Sequence, residues 1–254
     1  PYILWALGSD INNYKNNPVT RSLLRTIINS SKTIFADGFE LCQIIQNISG
    51  RNCEFLPTIH KIENLNSKHL LIAKDTNVVN FLFVGRLAKV KGIDILIDAF
   101  HLINVRNQLS GKKCIVIGDG ELKNECLQKV NELNLNETIK FAGSISDDAI
   151  MIENFEQADC IIIPSRSESI PIVLCEAVQF SKPLIVSNAG DMEFIVKKYG
   201  LGYVFTRNNA EELAEAILQF SNAKKSTVTN RDEILDELLF ERNSHKLLNA
   251  INKI

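Results

Sequence analysis

Short apolar runs alternate with amphipathic stretches along almost the whole chain, and this rhythm limits the fold more than any other feature. From Val78 to Phe205 the runs are VVNFLFVG, KCIVIG, TIKFAG, ADCIIIP, PLIVS and LGYVF. Each is too short for a buried helix and rich in β-branched residues, which marks it as a strand. Strands this apolar, each followed by a helix, are expected to form a parallel sheet covered on both faces. Between them stand helical patterns over Gly92–Asn107, Glu121–Leu133, Asp147–Gln157, Pro171–Phe180, Asp191–Lys198 and Asn208–Phe220. In the first of these, Ile93, Leu96, Ile97, Phe100 and Ile103 recur at helical spacing. The alternation predicts an α/β fold with a doubly wound parallel sheet.

The front of the chain repeats the rhythm in shorter form. Tyr2–Ala6, Lys32–Ala36 and Cys53–Leu56 read as strands, and Val19–Asn29 and Gly38–Ile48 as helices. Residues 58–77 are polar and weakly periodic, as a loop and interdomain linker would be. The expected division is a partial first domain over 1–66, a linker over 67–77 and a complete second domain over 78–254. A full domain of this kind needs ~100–150 residues. The chain also opens on Pro1 with a strand already under way, so part of the first domain is expected to lie upstream. The tail after Asn222 reads as polar, then helical.

Bulk properties exclude several classes. The net charge is −2, unlike the basic surface of a general nucleic-acid binder. The six cysteines form no Cys-x-x-Cys pair, and Cys114 and Cys160 lie inside apolar runs, as reduced buried thiols would. With the four histidines also scattered, no zinc site is expected. No apolar run is long enough to span a bilayer.

In an open parallel sheet, ligands bind beyond the carboxyl ends of the strands, which makes the loops after the strands the candidate site. In VGRLAKVKG, Gly85 and Arg86 follow a strand and Lys91 precedes a helix. Two cations near free helix N–H groups suit an anion, although two solvated surface cations would give the same pattern. In IGDGEL, Gly118 and Gly120 flank Asp119, letting backbone approach a ligand or simply forming a tight turn. Position 123 is Lys where a dinucleotide fingerprint has its third glycine, which argues against a dehydrogenase. In SRSESIPIVLCEA, Pro171 suits the first position of a helix, leaving N–H groups near Ile172 and Val173 for a phosphate. Helical side chains lean toward the N-terminus, so Glu176 reaches the same mouth, where it could accept hydrogen bonds from a ribose diol. Glu168 in the loop could do the same for a sugar hydroxyl, and two ordinary glutamates remain the plain alternative. In SNAGDMEFI, helix capping accounts for Glu193.

Together these loops resemble the retaining glycosyltransferases of the GT-B fold, in the glycosyl transferases group 1 (GT4) family. The resemblance covers most of residues 78–222: VGRLAKVKGIDILIDAF, IGDGEL, IKFAGSI, PSRSESIPIVLCEA and SNAGDMEFIV. Glu168 and Glu176 match the family's E-x7-E motif, and Arg86 and Lys91 its G-R-x4-K-G motif. The resemblance implies a GT-B pair of Rossmann-like domains. It assigns Arg86 and Lys91 to the donor diphosphate, Glu176 to the ribose and Glu168 to the transferred sugar. It places backbone at Ser169 and Ile170 on the sugar, and Gly118–Gly120 and Ser144 near the base. Ser169 and Ile170 stand where Gly and Phe are frequent, and Asp191 where a second Gly is frequent, which leaves the sugar open. His60, His69, His101 and His245 match no catalytic position. The implied partners are a UDP- or GDP-sugar and a glycan or lipid-linked acceptor, with no nucleic acid, no metal and no other cofactor. The implied location is cytoplasmic, with peripheral contact at the inner face of a membrane. A non-catalytic nucleotide-sugar-binding fragment and a nucleotide-sugar epimerase on the same fold are the alternatives.

Overall fold

The computed structural model describes residues 1–62, 77–223, 228 and 230–253. Most of the expected linker, 67–77, therefore lies outside the described residues. The described chain divides into two units: Pro1–Lys61 with Glu168–Ile172 and the stretch from Asp232, and Ile62–Ser167 with Val173–Arg231.

The first unit opens with β1 (Ile3–Ala6), the single-turn α1 (Ser9–Asn12) and α2 (Pro18–Ser30). Then come β2 (Thr33–Ala36), α3 (Phe39–Ser49) and the short β3 (Glu54–Phe55). The three strands form a parallel sheet in the order β1-β2-β3. α2 starts where Asn17 caps it, its side chain accepting from the Val19 amide at 3.0 Å, with Pro18 at the first position. On one face Ile28, Ile34, Leu41 and Ile45 pack together.

The second unit holds β4 (Val79–Val84), α4 (Ile93–Val105), β5 (Lys112–Ile117), α5 (Lys123–Glu132), β6 (Ile139–Gly143) and α6 (Asp148–Gln157). It continues with β7 (Cys160–Ile163), α7 (Ile172–Gln179), β8 (Leu184–Ser187), α8 (Met192–Tyr199), β9 (Gly202–Phe205) and α9 (Ala210–Asn222). The sheet is parallel throughout, in the order β6-β5-β4-β7-β8-β9. Its central strands are apolar on both faces because both are covered. β7 and β8 are buried at every residue. On one face α4, α5 and α9 enclose Phe81, Phe83, Val116 and Ile162. Right-handed crossovers put α6, α7 and α8 on the other. The chain winds outward from β4 to β6, then returns to β7 beside β4. That reversal opens a crevice at the carboxyl ends of β4 and β7.

The tail departs from the division expected from sequence. α10 (Arg231–Leu238) leads to α11 (Phe240–Ile251), and from Asp232 onward the chain belongs to the first unit, not to the second. The reason is apolar. Phe240, Leu247 and Ala250 pack with Ile3, Trp5, Phe35 and Leu56, and Phe240 stacks on Trp5 at 5.8 Å between ring centroids. The Phe240 amide also donates to the Ile59 carbonyl at 2.7 Å. No helix among the described residues is long and apolar enough to cross a membrane.

Candidate functional site

The loops singled out in the sequence follow the carboxyl ends of strands in the second unit's sheet. Gly85 and Arg86 leave β4, and the Gly85 amide donates to the Ile117 carbonyl at 3.0 Å. Arg86 is exposed, and its guanidinium has no hydrogen bond or ion pair among the described residues. Lys91 is half-buried and ends a 3-10 turn, Lys89–Lys91, that precedes α4. Gly92 caps that turn with φ +71°, and a Cβ there would stand 2.0 Å from the Pro164 carbonyl oxygen. Only glycine permits that approach, so the turn carrying Lys91 is pressed against the end of β7.

Gly118 has φ +140°, and a Cβ on it would lie 1.9 Å from the Gly85 carbonyl oxygen. The sequence left this glycine open between approach to a ligand and a tight turn. In the structure the close neighbour is the chain's own backbone, and the Leu87 amide donates to the Asp119 carbonyl at 2.8 Å. The glycine loop thus braces the Arg86 loop. The Asp119 carboxylate faces solvent, bonded to Lys123 Nζ at 2.6 Å and to the Gly120 amide at 2.8 Å. Those two contacts hold it below the usual carboxylate range. Gly143 ends β6 and accepts from the Gly118 amide at 2.9 Å, which leaves the neighbouring Ser144 exposed at the same rim.

α7 starts at Ile172, directly after Pro171, and Val173 follows half-buried in its first turn. Glu176 lies on α7 and opens into a pocket of about 320 Å³. Asp148, Met151, Ile152 and Phe155 of α6, with Phe180 and Ile62, line the rest. Burial pushes the Glu176 carboxyl above its usual value. The sequence singled out Glu176 but none of its neighbours here. Met151 and Ile152 read as ordinary helix positions, and only the packing of α6 against α7 reveals them.

The segment Glu168–Ile172 groups with the first unit. There the Ser169 hydroxyl donates to Asp37 Oδ1 at 3.1 Å, just after β2. Ile170 and Pro171 are buried. Asp37 was not a sequence candidate, because nothing local marks an Asp after a strand as the partner of a Ser far along the chain. His60 bonds Glu241 at 2.9 Å in the same unit. No group of three or more His, Cys, Asp or Glu side chains suited to a metal gathers among the described residues.

Known proteins are similar to this chain. Residues 64–232 match the family described as glycosyl transferases group 1. An uncharacterized glycosyltransferase of Methanocaldococcus jannaschii is 31% identical over 224 residues, covering 87% of this chain and 59% of its own length. A UDP-Gal:alpha-D-GlcNAc-diphosphoundecaprenol alpha-1,3-galactosyltransferase of Escherichia coli is 26% identical over 181 residues, covering 70% of this chain and 45% of its own. The chain thus spans about half the length of these curated relatives. The Anabaena protein HepE, solved in complex with UDP, aligns with a TM-score of 0.79 at 19% identity, over 100% of this chain and 72% of its own. That likeness shows the fold, which is of the GT-B type. The match over residues 64–232, laid on a parallel sheet whose loops converge at the β4–β7 crevice, places this chain in the glycosyl transferases group 1 family.

Proposed function

We propose that this chain carries the donor site of a retaining, GT4-type hexosyltransferase that moves a sugar from a nucleotide-diphosphate sugar to an acceptor hydroxyl. The observation that carries the reading is the crevice itself. Exposed Arg86 lies on the loop after β4, and Lys91 sits on a turn pressed against the end of β7. Free N–H groups at a helix start add positive potential to such a place.

In this reading a diphosphate lies against Arg86 and Lys91, with the α7 amides near Ile172 and Val173 adding donors. Charge builds on the departing diphosphate as the anomeric bond breaks. Fixed cations and N–H groups stabilise that charge with no reorganisation, and one such donor is worth about 2.7–4 kcal/mol. Glu176 takes the ribose hydroxyls, and the apolar side of its pocket takes the nucleoside. Glu168, with the backbone of Ser169 and Ile170, is assigned the sugar by the family resemblance, and Ser144 the region of the base. UDP bound to HepE and the UDP-Gal donor named for the E. coli relative support a nucleotide sugar. The diphosphoundecaprenol-linked acceptor named for the E. coli relative supports a role in polysaccharide or glycolipid synthesis, and we read the protein as cytoplasmic or peripheral at a membrane. Phosphate charge is met by side-chain cations, so donor binding should survive EDTA.

Calorimetric titration with UDP, GDP and their nucleosides tests the reading. Arg86→Ala and Lys91→Ala should each weaken one diphosphate at least tenfold, ~1.4 kcal/mol, and change nucleoside binding by less than about twofold. Equal losses for diphosphate and nucleoside would refute the assigned roles.

A further inference from the structure

Arg166 follows β7, inside the PSRSES segment, and neither the motifs nor the proposed donor contacts use it. Its guanidinium nevertheless meets three separate elements of the second unit. Nη1 and Nη2 donate to the two oxygens of Asp94, each at 2.7 Å. Asp94 stands in the first turn of α4. Nη1 also donates to the Lys89 carbonyl, and Nε to Asn208 Oδ1 at 2.6 Å. The Arg166 amide donates to the Val90 carbonyl at 2.8 Å. One residue therefore holds positions 89, 90 and 94, on both sides of Lys91. The pair is partly buried, with 22% of the arginine and 30% of the aspartate side chain exposed. Mutual attraction lifts the arginine and lowers the aspartate from their usual values, against the opposing effect of burial.

We infer that Arg166 is a positioning residue that fixes the Lys91 turn for the anion and neutralises Asp94 beside it. The inference rests on the donor-site reading above. Two physical reasons make arginine the residue for the task. A planar fork can satisfy both carboxylate oxygens while its remaining N–H groups reach a carbonyl and an amide oxygen; a lysine ammonium cannot span them. An uncompensated Asp94 at the start of α4 would also repel the phosphates that the turn is placed to receive. The glycine contact at Gly92 presses the turn against Pro164 at the end of β7, and Arg166, two residues further along, ties it to the same segment.

The test uses the whole chain. Titrate UDP, GDP and their nucleosides into wild type, Arg166→Ala, Arg166→Lys, the double variant Arg166→Ala with Asp94→Asn, and Lys91→Ala, and follow amide hydrogen exchange at residues 89–92. Arg166→Ala should weaken the diphosphate at least tenfold, change the nucleoside less than about twofold, and speed exchange at residues 89–92. Arg166→Lys should restore little of the loss. Asp94→Asn added to Arg166→Ala should recover part of it, because the repelling charge is gone. An ion pair serving stability alone would lower Tm and leave the ratio of diphosphate to nucleoside affinity unchanged, which overturns the inference. Full rescue by lysine, or unchanged exchange at 89–92, overturns it as well. If Lys91→Ala weakens the diphosphate and Arg166→Ala does not, only the role of Arg166 falls. If Lys91→Ala leaves both ligands untouched, the donor reading itself falls.

Discussion

Helices α2 and α4 have the same length, 13 residues, and each follows a strand of a parallel sheet. Their burial differs sharply. α4 buries Ile93, Ile95, Leu96, Ile97, Ala99, Phe100 and Ile103, while α2 buries Ile28. Val19, Leu23 and Ile27 of α2 are 78%, 61% and 40% exposed. Leu23, Leu24 and Ile27 instead line an open pocket of about 350 Å³ with Leu4 and Tyr14. Periodicity says that a helix has an apolar side. It does not say that anything covers that side, and the hydrophobic effect acts only where water is removed. In the second unit α4 and α9 close over the sheet, and the removal is complete.

The contrast can be broken or sharpened by mutation. Phe81 is 1% exposed, with the rings of Phe100 and Phe220 at 6.0 and 5.8 Å. Phe81→Ala should cost about 3–5 kcal/mol in urea denaturation, the usual range for emptying a closed core. A loss near 1 kcal/mol would mean that the second unit's core collapses as freely as a surface. Next comes a pair of left-handed glycines. Gly92→Ala puts a Cβ 2.0 Å from a backbone oxygen, whereas Gly50 has φ +74° and nothing within 4 Å of its Cβ. Gly50→Ala should cost only the conformational penalty, about 1–2 kcal/mol. Gly92→Ala should exceed it by at least about 1 kcal/mol and also weaken diphosphate binding. Equal costs would show that the Lys91 turn can move off β7.

A pH effect follows from the Glu176 pocket. The folded carboxyl sits above its ordinary value of 4.5, so the native state holds that proton more tightly than the unfolded chain. Its contribution to stability is full below the unfolded value and is lost as pH rises through the folded one. Glu176→Gln should therefore flatten the decline of Tm on the alkaline side of pH 4.5. An unchanged slope would place the carboxylate in water. The smallest effect belongs to α2. Leu23→Ser should change stability by no more than about 0.5 kcal/mol, and a larger loss would show that α2 is covered after all.

Much of the fold was legible because it is local. Strand–helix alternation, the acidic opening of α6 at Asp147 and the Pro171 start all act through neighbouring residues. The placement of Arg86 and Lys91 after β4 and of Glu176 on α7 was legible because each follows from the local strand–helix pattern. The bracing at Gly118, the Arg166 clamp, the Asp37–Ser169 contact and the Met151 side of the Glu176 pocket were not, since each joins residues far apart in the chain.

By itself the sequence determined the α/β class, the strand and helix positions and the residue types at the crevice, because propensity, periodicity and capping are short-range. Only the tertiary structure decided which apolar faces are closed, that α11 returns to the first unit, and what holds the Lys91 turn in place. Those outcomes depend on which surfaces meet, and burial and hydrogen-bond satisfaction have values only once both partners are present.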